Sequence, residues 1–509
     1  MDESFAKLLE ADTHPEHINP ALRINSPLPP GPSLVPVARY IDRRYHELEK
    51  ANLWSRTWQM AAHEDDFPSV GDVVPYDIAD KSYLIVRHAG GYKAYYNACL
   101  HRGRKLREIR ARGLSELRCP FHGWTWNLDG TLKQVPCAYD YAGLDRSEES
   151  LPEVRLEIWG RFIFINPDPN AQPLAEFLGD LGKQFTLLPY ERRYKQAHVA
   201  KVIRANWKTV QEAFMESYHV LMTHPQILTG GANDLCTKYD AFENYSRAIR
   251  CGALEGDEMP RFDPEAGENG STFLRHPLNG WTYECIEPGR VRVTTTKGVT
   301  GLFDADGTWL EGELKECNVH LCLWAGGEQV QQQPTARIRE NAIPDAVREK
   351  LGPEASANAL NAEMQRQMLA SVVPSIAQTI PDVELYSSIY LSVFPNWHPW
   401  GSFNLINYRF RPNGDNHEEA IMECMFLAPI PEDGNFEPVR EIHWLGIDED
   451  WTNAPELGQL AKIFNQDLRN LPFVYQGMKA TVREHLRLAD YNELKLRHFH
   501  DKYGQVVGD

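Results

Sequence analysis

Two short groups of residues, each with one cysteine and one histidine, are the clearest chemical signal in this chain. Cys99-Leu100-His101 is followed, after seventeen residues, by Cys119-Pro120-Phe121-His122. Two thiolates and two imidazoles in this order suit a [2Fe–2S] cluster in which cysteine holds one iron and histidine holds the other. Zinc is the alternative, but zinc spacings usually pair cysteine with cysteine and histidine with histidine. The pattern therefore favours an iron–sulfur cluster held by two loop tips.

A second polar group lies on a predicted helix that begins at Asn206-Trp207-Lys208. Helical spacing would bring three titratable side chains onto one face, namely Glu212, Glu216 and His219. Charge on a helix face is usually solvated. The flanking positions are largely apolar, however, and no Lys or Arg lies between Thr209 and Thr237. We therefore expect a buried helix whose carboxylates and imidazole are paired or bound to an ion.

His219 and His224 are predicted to face one metal ion. Five positions apart, they would splay on a regular helix. His224 precedes Pro225, however, and that position disfavours the α conformation, so the helix should loosen there. Two histidines and one carboxylate form the facial triad of non-haem Fe(II) oxygenases, so a third, distant ligand is needed.

Asp467 is the favoured third ligand. The apolar positions of residues 455–471 form one helical stripe, and Asp467 falls inside it. An aspartate on an inward face is costly unless it is paired or metal-bound. Asp382, Asp448 and Asp450 are the alternatives, and they lie in loop-like or polar surroundings.

Both groups of residues resemble motifs of one protein family. Residues 97–103 and 119–124 resemble the Rieske domains of ring-hydroxylating oxygenases. Residues 206–208, 212–225 and 465–468 resemble the iron-binding segments of the α subunits of Rieske non-haem iron oxygenases. The resemblance implies a [2Fe–2S] Rieske cluster and a mononuclear Fe(II), with O₂ as co-substrate. The implied cluster ligands are Cys99, His101, Cys119 and His122. The implied Fe(II) ligands are His219, His224 and Asp467, and the implied electron bridge is Glu216.

The same resemblance implies an α+β fold in two parts. A small antiparallel β Rieske domain is expected at 51–165, and short alternating runs punctuated by Gly and Pro agree with it. A helix-grip catalytic domain, with an antiparallel sheet around a long helix, is expected at 166–509, and residues 1–50 are assigned to it as an arm and helix. The separation of His224 from Asp467 exceeds the family's usual spacing, which implies insertions around the pocket.

The implied function is that of the terminal oxygenase component of a multicomponent system. Electrons from NAD(P)H would arrive through a ferredoxin and/or a flavin reductase, and an aromatic or other largely apolar substrate would be hydroxylated, as in aromatic hydrocarbon catabolism. Oxidative N- or O-demethylation uses the same iron ligands and is the main alternative. A Rieske electron carrier without oxygenase activity is another. The family also implies a homotrimer, with a small β subunit in some members.

Composition argues against several other classes. The 509 residues include 53 Lys and Arg against 71 Asp and Glu, a net charge of −18 that disfavours a nucleic-acid partner. We expect no membrane span, because no stretch of eighteen apolar residues occurs. Nine cysteines, an odd and sparse count, and a start without a basic-plus-apolar leader predict a reducing, cytoplasmic location.

Four weaker patterns give local predictions. Seven basic residues between Arg102 and Arg118 suit docking of an acidic ferredoxin or a neighbouring subunit, with a solvated loop as the alternative. Cys317 and Cys322 would point to opposite faces of a strand, which predicts core packing. The Pro-rich residues 1–40 are expected to be extended. Residues 250–270 are expected to form a long loop or insertion.

Overall fold

The computed structural model of the protein describes residues 2–29, 33–224, 237–250, 265–266, 272–276, 278–327, 344–352 and 355–508. Among these residues, no helix combines the length and apolar character needed to cross a membrane. The loop predicted at 250–270 lies almost entirely outside the described residues.

A six-stranded antiparallel sheet forms the first β domain. Its strand order is Gln59–His63, Phe162–Asn166, Glu153–Trp159, Gly91–Tyr96, Lys81–His88 and Val73–Ile78. A smaller three-stranded sheet accompanies it, built from Leu117–Arg118, Thr125–Trp126 and Leu132–Gln134. Every residue of Phe162–Asn166 is buried, as a continuous apolar run predicts for a strand covered on both faces. The predicted small antiparallel β domain is confirmed, and its boundaries at 51 and 165 stay a prediction.

An eight-stranded sheet forms the second domain. Its strand order is Thr237–Ala241, Tyr245–Arg250, Ser388–Val393, Trp397–Pro399, Ile406–Asn413, Asn416–Pro429, Arg193–Ile203 and His443–Leu445. The edge pair of Arg193–Ile203 with His443–Leu445 is parallel, and the other pairs are antiparallel. Helices Trp207–Glu212 and Leu494–Val507 pack on this sheet, and the long helix Leu460–Ala480 packs beside the first of them.

The long helix Leu460–Ala480 shows the predicted inward stripe. Apart from Gln466, which is also buried, its buried positions recur every three or four residues, at Ala461, Phe464, Asp467, Leu471, Tyr475 and Met478. The helix begins five residues after the predicted start, since Pro455–Leu457 forms a separate 3₁₀ turn, and it continues through Pro472. One carboxylate, that of Asp467, therefore points into an otherwise largely apolar core.

A separate sheet, here called the insert sheet, lies between the two halves of the second domain in sequence. Its strands run in chain order: Glu265–Ala266, Thr272–Arg275, Thr282–Glu287, Arg290–Thr294, Thr300–Asp304 and Trp309–Gly312. Helix Val319–Gly326 packs against it. Their shared core includes Val220, the residue after His219.

The remaining elements are short and border the two domains. Leu34–Pro36 pairs with His485–Arg487 in a two-stranded sheet. A π-helical turn, Glu49–Leu53, continues the helix Arg43–Leu48. The other α-helices of the described residues are Asp2–Glu10, Ala38–Ile41, Leu174–Leu178, Val220–Thr223, Asp345–Leu351, Ala357–Ala370, Pro374–Ala377 and Asp382–Tyr386.

Two local predictions are wrong. The segment 1–40 is not extended throughout, because helix Asp2–Glu10 buries Phe5, Leu8 and Leu9 at helical spacing. Cys317 and Cys322 pack in the core beside the insert sheet, as predicted, but they do not lie on a strand. They flank the start of helix Val319–Gly326, and helical winding brings their sulfur atoms within 3.4 Å of each other.

Candidate metal centres

The two Cys/His groups lie on loops with matching backbone hydrogen bonds. The N–H of Cys99 donates to the carbonyl five residues ahead (2.8 Å), and the N–H of Gly103 donates back to the Cys99 carbonyl (2.9 Å). Cys119 and Gly123 repeat this pattern at 2.8 and 3.1 Å. Gly103 and Gly123 have φ of 71° and 77°, a left-handed conformation that glycine adopts without strain. The chain thus presents two equivalent loop tips.

The side chains on these loops form one cluster. The rings of His101 and His122 lie 4.5 Å apart at 70°, and both Cys99 and Cys119 are buried. Burial, together with the neighbouring Cys119, raises the pKa of the Cys99 thiol. Within the described residues, His101 Nδ1 is buried without a hydrogen-bond partner. Two sulfur donors and a free buried imidazole nitrogen fit an iron–sulfur cluster.

His122 stays on the outside of this cluster. Its ring is exposed, whereas His101 is half-buried and stacks on Trp124 at 5.4 Å. The pKa of His122 is lowered by desolvation, then by His101 and the Arg102 guanidinium, so the neutral imidazole that binds metals is favoured.

The predicted polar helix at 206–223 is divided in two. Asn206 caps helix Trp207–Glu212, because its side-chain oxygen accepts the N–H of Lys208 at 3.0 Å. Residues 213–219 form turns, and a short helix, Val220–Thr223, follows. Because the chain turns at 213–219, only Glu216 and His219 of the three predicted neighbours lie together.

Glu212 does not join the predicted polar face. Its carboxylate accepts from the Tyr40 hydroxyl (2.9 Å to Oε2) and lies 2.9 Å from His500 Nε2. Both partners are buried, so Glu212 belongs to a structural network with helices Ala38–Ile41 and Leu494–Val507. Burial, followed by the Glu212 charge and hydrogen bond, holds the pKa of Tyr40 well above its ordinary value.

His219, His224 and Asp467 come together across the fold. One ligand atom from each lies within 4.8 Å of the others. Asp467 Oδ1 is 2.8 Å from His224 Nε2 and 3.6 Å from His219 Nε2. His224 has φ −127° and ψ 55°, outside the α region, as expected for the residue before a proline. Two imidazole nitrogens and one carboxylate oxygen facing one point fit an Fe(II) facial triad.

The opposite ring nitrogens of both histidines are held. His219 Nδ1 donates to Glu216 Oε1 at 2.5 Å, and the His219 N–H donates to Glu216 Oε2 at 3.0 Å. His224 Nδ1 lies 2.8 Å from Gln466 Oε1. These contacts direct each Nε2 toward Asp467. The sequence analysis missed Gln466, although its place beside Asp467 on an inward-facing helix was a usable signal.

The alternative carboxylates have other partners. Asp382 accepts from the Thr13 hydroxyl (2.9 Å) and pairs with Arg366 at 2.5 Å. With Asp12 and His14 it forms a second group of metal-type side chains, but the Arg366 guanidinium already satisfies that group. The two remaining candidates also have partners: Asp448 pairs with Arg204, and Asp450 caps the turn at Thr452.

A buried ion pair anchors helix Trp207–Glu212. Lys208 hydrogen-bonds Glu49, which also accepts from Trp207 Nε1 (2.9 Å) and the Tyr503 hydroxyl (2.8 Å). Burial lowers the pKa of Lys208, opposed by the Glu49 charge. Sequence reasoning did not find this network, since Glu49 and Tyr503 lie far from the motif along the chain.

The basic run at 102–118 is largely paired within the chain. Its internal ion pairs are Arg104–Glu108, Lys105–Asp77, Arg110–Glu441, Arg112–Glu441 and Arg118–Glu116. Arg102 lies 5.5 Å above the exposed ring of Phe121, next to His122. Much less free positive charge therefore surrounds the cluster than the sequence suggested.

Comparison with protein families matches both domains. A model described as the Rieske [2Fe-2S] domain matches residues 57–145. The model of the ring hydroxylating alpha subunit (catalytic domain) matches residues 188–274 and 330–509, more than half of the chain. The chain therefore belongs to the ring-hydroxylating α-subunit family and carries a Rieske [2Fe–2S] domain ahead of the catalytic domain. Residues 275–329, which include most of the insert sheet, fall outside the match.

The individual proteins that this chain resembles are similar to it over only part of their length. The oxygenase subunit of carnitine monooxygenase from Escherichia coli is 32% identical over 194 residues, covering 38% of this chain and 52% of the relative. The oxygenase subunit of glycine betaine monooxygenase from Pseudomonas aeruginosa is 30% identical over 197 residues, or 38% and 45% of the two chains. The matches thus span about half the length of these relatives.

Similarity of fold covers more of this chain than similarity of sequence does. The structure of naphthalene 1,2-dioxygenase from Rhodococcus sp. aligns with a TM-score of 0.53 at 19% identity, covering 99% of this chain and 98% of the other. At this identity the alignment shows a shared fold, which confirms the predicted α+β class.

Proposed function

We propose that this chain is the terminal oxygenase component of a multicomponent Rieske oxygenase. It would use O₂ and electrons from NAD(P)H, delivered by partner proteins, to hydroxylate an organic substrate. The observation that carries the proposal is the meeting of His219, His224 and Asp467 in a chain that also has paired Cys/His loops. A Rieske electron carrier would have no use for that second group of buried ligands.

Seven residues are proposed as metal ligands. Cys99, His101, Cys119 and His122 would hold the cluster, and the facial triad would hold a mononuclear iron. When bound, the two groups would supply single-electron transfer and O₂ activation, respectively. At the facial triad, the chain fixes His219 and His224 by hydrogen bonds at their Nδ1 atoms. It also keeps the Asp467 carboxylate buried between them.

Glu216 is proposed as the bridge for electrons between the two centres. Within the described residues, the Glu216 carboxylate is hydrogen-bonded to His219 and to neither cluster histidine. His122 and Phe121 are exposed, and so is Tyr218 beside Glu216. A head-to-tail homotrimer would bring the partner subunit's His122 to Glu216 at every site.

The substrate class has two candidates. The sequence analysis favours an aromatic or largely apolar compound, as in aromatic hydrocarbon catabolism. Relatives at 32% and 30% identity are named for carnitine and glycine betaine, which are quaternary ammonium compounds. Another relative, at 31%, is named for 2-aminobenzenesulfonate, an aromatic compound. The first two names support the alternative of attack next to nitrogen, an oxidative N-demethylation or C–N cleavage, and the third supports attack on an aromatic ring. Both reactions suit the same three ligands.

The electron donor is proposed to be a ferredoxin and/or a flavin reductase. Because the basic run is mostly paired internally, we place the docking contact at Arg102 and the exposed ring of Phe121, beside His122. An acidic rim around a small apolar contact on the donor would complement this surface. The protein is expected to work in the cytoplasm, where such donors are reduced.

Single-turnover product analysis tests the proposed function. The reduced, iron-loaded protein should convert one substrate from a panel of aromatic acids, polycyclic hydrocarbons and N-methyl or quaternary ammonium compounds when O₂ is added. A hydroxylated ring would support the first class, and an aldehyde with a released amine would support the second. Iron-loaded protein that reoxidises with no product from any member of the panel would contradict an oxygenase role.

Glu216→Gln tests the electron bridge in the same assay. The amide keeps the size but loses the charge and cannot accept two hydrogen bonds in the same way, so reoxidation of the reduced cluster by O₂ and substrate should slow by at least about tenfold. The matched control is Glu243→Gln, which removes a surface carboxylate paired with Lys502. Normal product formation by Glu216→Gln would show that electrons take another route.

A further inference from the structure

Cys317 and Cys322 form a dithiol pair within the chain. The thiol of Cys322 donates to Cys317 Sγ at 3.4 Å, and Cys317 also lies 3.5 Å from the Gly307 carbonyl. A disulfide requires about 2.05 Å between sulfur atoms. The two sulfur atoms would therefore have to approach by little more than 1 Å to form a disulfide.

The two thiols differ in access. Cys317 is half-buried and precedes Asn318, the N-cap of helix Val319–Gly326, whereas Cys322 is fully buried. The hydrogen bond from Cys322 lowers the pKa of Cys317, although burial opposes it. The same hydrogen bond and burial raise the pKa of the Cys322 thiol. The more accessible Cys317 is therefore the cysteine placed to attack first, and the buried Cys322, 3.4 Å away, is the one placed to resolve the mixed disulfide.

Three contacts tie this pair to the segments that carry the iron ligands. Val220, which follows His219, packs in the same core as Cys322. His320 Nε2 lies 3.3 Å from Asn470 Oδ1. Asp306, in the turn that also contains Gly307, pairs with Arg469 at 2.6 Å. Arg469 and Asn470 lie two and three residues after Asp467, on the same helix.

We propose that Cys317 and Cys322 form a reversible disulfide. Its formation, which depends on the thiol redox state of the surroundings, would change the contacts of helix Leu460–Ala480. With oxidised glutathione, the Cys317 thiolate attacks one sulfur atom, forms a mixed disulfide and releases one glutathione thiolate. The Cys322 thiolate then attacks Cys317 Sγ and releases the second. Overall, the dithiol loses two electrons and two protons, and one glutathione disulfide becomes two thiols.

The proposal does not depend on the oxygenase assignment. Both cysteines lie within 275–329, the part of the chain that the family model leaves unmatched, so the switch would belong to this chain rather than to the family fold. Closing the disulfide would pull Cys317 toward the helix and away from the turn that holds Arg469.

Peptide mass spectrometry of the full chain in glutathione buffers tests the disulfide. Trypsin cuts after Lys315 and Arg337, so both cysteines fall on one peptide with no other cysteine. Oxidised glutathione should remove two hydrogens from this peptide, and dithiothreitol should restore them.

The Cys322→Ser variant should instead stop at a stable glutathione adduct on Cys317, and the Cys317→Ser variant should form almost no adduct. Cys285→Ser, which removes a neighbouring thiol of the insert sheet, should behave as wild type.

The exposed thiol of Cys137 serves as the internal control for oxidant delivery. If Cys137 is glutathionylated while the 316–337 peptide keeps two free thiols, or keeps a glutathione adduct in the wild type, the proposed disulfide is overturned.

Hydrogen exchange tests whether the disulfide affects helix Leu460–Ala480. Oxidation should change exchange at least about twofold in peptides around Asn470 in the wild type and leave it unchanged in Cys322→Ser. Unchanged exchange in the oxidised wild type would overturn the link to the helix.

Discussion

At the scale of single residues, hydrogen bonds to the far ring nitrogens decide how the two candidate iron-binding histidines are presented. A carboxylate can only accept, so His219 Nδ1 must carry the proton it gives to Glu216. The amide oxygen of Gln466 lies within hydrogen-bond distance of His224 Nδ1 and would hold the Nδ1–H tautomer of His224 once a metal takes Nε2. Both Nε2 atoms already point toward Asp467, so the three ligand atoms are gathered before any metal enters.

Gln466→Leu should weaken mononuclear iron binding by about 10–100-fold, because His224 loses the partner that orients it. Gln466→Glu keeps an acceptor oxygen at this position and should retain the iron. Gln476→Leu, an exposed glutamine on the same helix, is the matched control. Iron that remains after dialysis against a graded chelator series measures the effect, and equal retention by Gln466→Leu and Gln476→Leu would show that the hydrogen bond is dispensable.

At the scale of elements, a buried charge pair positions the helix that leads into the iron site. Lys208 and Glu49 are almost fully buried, and their pairing joins Trp207–Glu212 to the helical turn Glu49–Leu53 and to the C-terminal helix through Tyr503. Removing one member of such a pair leaves an uncompensated charge in the core, whereas exposed pairs contribute little.

Lys208→Met should therefore destabilise the protein by about 3–5 kcal/mol. Lys479→Met, which removes an exposed pair with Glu418, should cost less than about 1 kcal/mol. Denaturant and thermal midpoints of the two variants, followed by far-UV circular dichroism, make the comparison. Equal midpoints would mean that the network is not what holds the helix.

Local periodicity predicted the elements that are regular and failed where the chain bends. The stripe of Leu460–Ala480 marked Asp467 as inward because the helix is unbroken. The same reasoning misplaced Glu212, since the chain turns at 213–219. The partners of Glu212 and Lys208, which are Tyr40, His500, Glu49 and Tyr503, are remote in sequence, and no pattern along a single chain reports such contacts.

At the scale of the whole molecule, the two proposed metal centres are predicted to work across subunits. Co-expressed His101→Ala and Asp467→Ala chains, purified through two different tags, lack one centre each. In a head-to-tail trimer that contains both variants, only one of the three contacts between neighbours joins an intact cluster to an intact mononuclear site. About one third of wild-type turnover should therefore return. Each variant alone should be inactive. Mixed assemblies that stay inactive would mean that electrons remain within one chain, and sedimentation would show directly whether a trimer forms.

The most direct test of the central claim is an iron count with the Rieske spectrum recorded on the same sample. The wild-type protein should hold about three irons per chain, two of them in a cluster with acid-labile sulfide and a Rieske electron paramagnetic resonance signal. Asp467→Ala should hold about two and keep that signal, while Asp448→Ala, an exposed aspartate paired with Arg204, should keep about three. A colourless zinc protein, or an Asp467→Ala variant with its full iron content, would contradict the two-centre account.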